Sequence, residues 1–183
     1  MEEDENWLYL NNPEDTVRYV LGEKGARIVA CIGINPSTAR PKALDNTLRS
    51  VKRIANFNGY DGWVMYNVYP QRAKDPKHLH SEMDAGLHQK NIRILSQSIH
   101  DLVIDTIWLA YGDLIENREY LADCMLDLYL HLKHFDLKWK IIGEPSQKGH
   151  PKHPLYKPTQ SPFVDFDMEK YVNEKLTLKR LLK

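Results

Sequence analysis

The sequence predicts an α/β fold: a three-layer α/β/α sandwich around a mainly parallel four-stranded central sheet. Two observations carry this. Four short runs rich in β-branched and aromatic residues recur at residues 28–34, 63–68, 106–111 and 139–143, and amphipathic helical patterns separate them. Most of the runs empty into a polar loop that opens on proline or glycine. Strands that alternate with helices in this way join by right-handed crossovers and lie parallel, with helices on both faces.

Taken in order, residues 1–16 read as an irregular polar arm, and residues 17–21 as a short edge strand closed by a turn at 22–25. The run at 28–34 is apolar without alternation, as in a strand covered on both faces, and Pro36 stops its ladder. A helix over about 45–58 places Leu44, Leu48, Val51 and Ala55 on one stripe, and Asn58-Gly59 ends it. The strand at 63–68 runs into a loop bracketed by Pro70 and Pro76. A helix over 82–99 carries Ile92, Leu95 and Ile99, and the third strand stops at Gly112. The stripe Leu121, Met125, Leu128, Leu132 marks a helix over 117–135, and a final helix over 167–182 follows the fourth strand. The length of 183 residues and 42% hydrophobic content suit one domain over 1–183.

Composition excludes several classes. Twenty-five basic residues balance twenty-five acidic ones, so net charge supplies no drive toward nonspecific nucleic-acid binding. No apolar run reaches the roughly 18 residues of a membrane span, which argues against a membrane partner. The acidic start is the reverse of a signal peptide's basic region, which points to a cytoplasmic location. Cys31 and Cys124 make no metal spacing and read as buried small hydrophobes; no cofactor or metal is expected. Locally, residues 71–80 and 138–157 are basic, two solvated loops or together an anion site.

The four strand exits would gather at one edge of the sheet, where ligands of open α/β proteins bind. Asn35, beside the rigid Pro36, either holds a water or ligand carbonyl or stabilises the turn. Ser37 and Thr38 add hydroxyls suited to phosphate, without the glycine pattern of a P-loop. Asp45 either caps the helix that follows or serves as a general base; Arg49 either pairs with Asp45 or reaches an anion. Asn67, at the end of an apolar strand, needs a partner and either reads a base edge or sugar or is a buried Asn that ties adjacent loops together. Arg72 and Asp75 either bind substrate or lock their loop. The loop at 148–156 holds Lys148, His150, Lys152, His153 and Tyr156: cations, two imidazoles and a stacking aromatic. His78, His80 and His88 read as surface residues.

These elements resemble domain-of-unknown-function family 1643 through Asn35-Pro36-Ser37-Thr38-Ala39, Asp45-Asn46-Thr47-Leu48-Arg49, Asn67, Arg72-Ala73-Lys74-Asp75-Pro76, Ala110-Tyr111-Gly112 and residues 148–156. That resemblance implies no established activity. More distantly, Gly33-Ile34-Asn35-Pro36 and His153-Pro154-Leu155 are similar to the two motifs of the uracil-DNA glycosylase superfamily, whose sheet has four parallel strands. The likeness implies that Asn35 positions the attacking water, that His153 lies beside the leaving base or phosphates, and that Asn67 contacts the base. Tyr69 or Tyr156 would then hold a flipped nucleotide. The expected function is an N-glycosidase-type hydrolase acting on a nucleotide or nucleic acid. The alternatives are a noncatalytic nucleotide or single-strand binding protein, or an accessory domain that binds an unknown protein partner.

Overall fold

The apolar runs pair into one sheet. In the computed structural model, which describes residues 6–177, strands run in the order β1-β2-β4-β3-β5-β6-β7. They are β1 (Trp7–Asn11), β2 (Arg18–Glu23), β3 (Ile28–Gly33), β4 (Gly62–Asn67), β5 (Thr106–Leu109), β6 (Lys138–Ile142) and β7 (Phe163–Asp165). The four central strands β4, β3, β5 and β6 are mutually parallel, as the alternation with helices requires. Antiparallel strands extend both sides: β2 and β1 next to β4, and β7 next to β6.

Side-chain alternation along β3 and β4 divides the core into two layers. Val29, Cys31, Trp63 and Met65 face helix α1 (Asn46–Phe57) and bury against Leu48, Val51, Ile54 and Ala55. Ala30, Ile32, Val64 and Tyr66 face the opposite side, under α2 (Ala85–Asp101), α3 (Glu119–Leu132) and α4 (Met168–Tyr171), which continues as a π-helical segment, Val172–Thr177. Each fully buried leucine or isoleucine contributes roughly 1.5–3 kcal/mol, so the two layers dominate the stability. Cys31 and Cys124 are buried free thiols, as their surroundings suggest.

Three expectations change. The arm at 1–16 is not irregular throughout: Trp7–Asn11 pairs with β2, so β2 is flanked on both sides and is no edge strand. Strand β7 is held where Phe163 packs on Trp108, ring centroids 5.0 Å apart, and where its N–H donates to Asn58 Oδ1 at 2.7 Å. His88 is 1% exposed rather than on the surface, its Nε2 bonded to Asp127 between α2 and α3. Asp167 caps the last helix through Lys170 N, but residues 178–182 of the expected helix lie outside the described residues.

Candidate functional site

Because β3, β4 and β5 are parallel, their carboxyl ends meet at one edge. A cleft of about 360 Å³ opens there, on the α1 side. Its lining includes Asn35 from the β3 exit, Asn67 from the end of β4, Asp45 and Asn46 from the start of α1, and His153 from the loop after β6. Ser37 also lines it, while Met65, Leu48, Leu114 and Leu155 supply apolar wall. The volume is within the small-ligand range, and a mostly apolar pocket with a few convergent polar groups is the usual form of a binding site.

Asn67 is 1% exposed, and both its Oδ1 and its Nδ2 lack any partner among the described residues. Its backbone carbonyl accepts from Asn91 Nδ2 at 2.9 Å. Leaving such a group unpaired costs about 1–3 kcal/mol. Gly33, opposite Asn67 in the ladder, keeps this amide clear, since a Cβ there would lie 2.4 Å from Met65 Cε and 3.2 Å from Asn67 Oδ1.

Asp45 caps α1, Oδ1 accepting from Leu48 N at 2.9 Å, and the residue also lines the cleft. Asn35 donates through Nδ2 to Ala73 O at 2.8 Å and Pro36 O at 3.0 Å, tying the β3 and β4 exits together. Both amide donors are thereby used, and the group's remaining capacity is the acceptor Oδ1.

His153 accepts a hydrogen bond at Nδ1 from Leu155 N at 3.2 Å. A backbone amide only donates, so in the neutral ring the proton sits on Nε2, leaving an N–H donor. Burial holds this imidazole below its ordinary value of 6.5, with the Asp45 charge opposing. The unfolded chain therefore takes up this proton more readily than the folded one. Stability from this residue is complete above pH 6.5 and falls as pH drops toward the folded-state value. Denaturant midpoints measured from pH 7 to pH 5 are expected to decline less steeply for His153→Gln than for the natural protein.

Gly112 sets the position of His153. Its φ is +63°, and a Cβ would lie 3.1 Å from His153 Cβ. Gly112→Ala is expected to cost about 1–2 kcal/mol through left-handed backbone strain alone, read as a lowered denaturation midpoint, and to displace His153.

Other sequence candidates lie elsewhere. Arg72 braces: it donates to Ala39 O at 3.2 Å and Tyr9 Oη at 2.9 Å, also bonds Ser37 O, and pairs with Asp15 at 3.0 Å. His150, 2% exposed, donates from Nε2 to Glu116 at 3.1 Å and accepts at Nδ1 from Tyr171 Oη at 2.8 Å. Lys148 pairs with Glu116 at 2.6 Å, so both residues staple their loop to the 3-10 turn Gly112–Glu116 rather than enter the cleft. Lys138 and Lys140 pair with Asp105 and Asp165, which removes them from the basic anion site considered for this loop. Asp75 caps the turn Pro76–His78 through Lys77 N. Arg49 is exposed and donates to Asn46 Oδ1, Thr38 is exposed, and Tyr156, at φ +61°, is 88% exposed to solvent.

Lys74, from the basic stretch 71–80, also lines the cleft, and so does Arg18, which the sequence reading did not single out. Arg18 begins β2, which runs antiparallel to β4, so its start lies at the edge where β3 and β4 end. Among the described residues, no group of three or more His, Cys, Asp or Glu side chains is placed to hold a metal ion, and no helix is long and apolar enough to cross a membrane.

A mixed seven-stranded α/β sheet with a polar cleft at the carboxyl edge of its parallel strands defines the class of this protein. The model of a family described as protein of unknown function (DUF1643) matches residues 18–155, and the chain belongs to that family. The matched stretch opens on Arg18 and closes on Leu155, both of which line the cleft. In a comparison with curated proteins, none matches the chain.

Proposed function

We propose that the cleft binds the base of a nucleotide or nucleic acid and hydrolyses its N-glycosidic bond. The observation that carries the reading is Asn67: a buried amide with donor and acceptor both unpartnered, matched to the paired donor and acceptor of a nucleobase edge. The neighbouring groups supply the chemistry. The Asp45 oxygen not engaged by the cap takes a proton from water, which Asn35 Oδ1 orients. As the water oxygen bonds to the sugar carbon, the carbon–nitrogen bond breaks and its electron pair leaves with the base. The Nε2–H of neutral His153 donates to the negative charge that develops there.

The likeness of Gly33-Ile34-Asn35-Pro36 and His153-Pro154-Leu155 to uracil-DNA glycosylase motifs supports this assignment, and both segments line the one cleft. A cytoplasmic setting goes with it, in keeping with two free thiols. Chromatography of free base released from nucleosides, nucleotides and uracil-containing or mismatched oligonucleotides tests the reading. Release is expected from the natural protein and not from Asn35→Ala or His153→Ala; no release above those controls would sink it.

One observation favours a second reading, noncatalytic binding: the Asn35 amide nitrogen is committed to two backbone carbonyls, as in a rigid binding wall. Saturable nucleotide binding without base release would select it.

A further inference from the structure

We propose that the same cleft holds a phosphate group on Arg18, with Lys74 and the first turn of α1 beside it; this rests on the base-binding reading above and names the substrate as a nucleotide rather than a nucleoside.

Arg18 is 2% exposed and lines the cleft. Its Nη1 donates to Ala39 O at 3.1 Å, while its Nε is buried without a partner among the described residues. An arginine this deeply buried is ordinarily paired with a carboxylate. Here, among the described residues, Asp45 and Asp15 act on it through their charge alone, without a bond to the guanidinium. Asp15 is taken by Arg40 and Arg72, and Asp45 has one oxygen on the helix cap.

The cleft lining itself carries two cations, Arg18 and Lys74, against one carboxylate, Asp45, with His153 neutral above its lowered pKa. Desolvation, helped by repulsion from Arg72, holds the Arg18 guanidinium down to about 10, so it stays charged at neutral pH. Asn46 and Thr47 bring the start of a twelve-residue helix to the same lining. Leu48 and Arg49 N–H are taken by Asp45, but those of Asn46 and Thr47 have no acceptor within the helix, and its dipole favours an anion there. Guanidinium, ammonium and helix start make a phosphate site, and the unpartnered Asn67 amide remains for the base.

Calorimetry tests this with four probes: inorganic phosphate, a nucleoside, its 5′-monophosphate and a short single-stranded oligonucleotide. The monophosphate is expected to bind at least about tenfold more tightly than the nucleoside, as a charge-assisted contact should give, and inorganic phosphate is expected to compete with it. Arg18→Gln should erase that advantage, and Lys74→Ala should reduce it several-fold. An oligonucleotide that binds more tightly with the same Arg18 dependence would support the site and identify a strand as the source of the phosphate. Equal affinity for nucleoside and monophosphate would overturn the phosphate site while leaving the base reading intact. Arg18-dependent phosphate binding without any nucleoside binding would uphold the phosphate site and overturn the base reading instead. Should Arg18→Gln fail to fold by circular dichroism, the exposed Lys74→Ala decides: an unchanged advantage there overturns the proposal.

Discussion

Replacing Asp45 by asparagine is expected to lower base release by about 10²–10⁴-fold, the usual contribution of a positioned general base, with little loss of stability. Asparagine is as good a helix cap as aspartate, so the bond to Leu48 N survives while the basic oxygen is lost. Asp45→Ala loses both functions and should also destabilise the fold by about 1 kcal/mol. Comparing kcat/KM with the denaturation midpoint for the two variants separates the roles. Full activity in Asp45→Asn would remove Asp45 from the chemistry and leave it as a cap.

Arg72→Met is expected to destabilise the protein by about 2–3 kcal/mol, for the loss of several buried hydrogen bonds and one ion pair. The side chain is 10% exposed and ties the β3 exit, at Ser37 and Ala39, to Tyr9 in β1 and to Asp15. Asp15 is held below the ordinary carboxylate range chiefly by Asn11, with Arg72 and Arg40 contributing. Because Asp15 keeps partial contact with water, the cost is below that of breaking a fully buried pair. A urea titration should show a lowered midpoint with an unchanged slope. A stable Arg72→Met protein would contradict the brace and return Arg72 to the list of ligand-binding residues.

The residues that the sequence exposed most clearly are those whose role is local. Apolar runs bounded by proline and glycine, such as 28–34 before Asn35-Pro36, mark buried strands because a parallel strand covered on both faces has no polar side. Once those strands are parallel, Asn35, Asp45, Asn67 and His153 must gather at their shared edge, and all four line the cleft. β1 and β7 were not legible because their stability comes from partners distant in sequence: β2 for one, Trp108 and Asn58 for the other.

Arg18 was missed for a topological reason. Attention to the loops that follow strands overlooks an antiparallel strand, which presents its first residue at that edge. The opposite error arose in the loop at 148–156, rich in polar groups. Lys148 and His150 are consumed by Glu116, and a positive φ turns Tyr156 to solvent. Which polar residue of a loop is a staple and which faces the cleft depends on what the neighbouring loop offers, and that pairing is long-range.

In the proposed function the unpartnered amide of Asn67 reads a base in this cleft. The most direct measurement is the side-chain amide resonance of Asn67 in a nitrogen-15 spectrum during titration with a nucleotide. This resonance is expected to shift, saturably, together with the side chains of Asn35 and His153. A nucleotide that binds and shifts only residues outside the cleft, leaving the Asn67 amide unmoved, would contradict it.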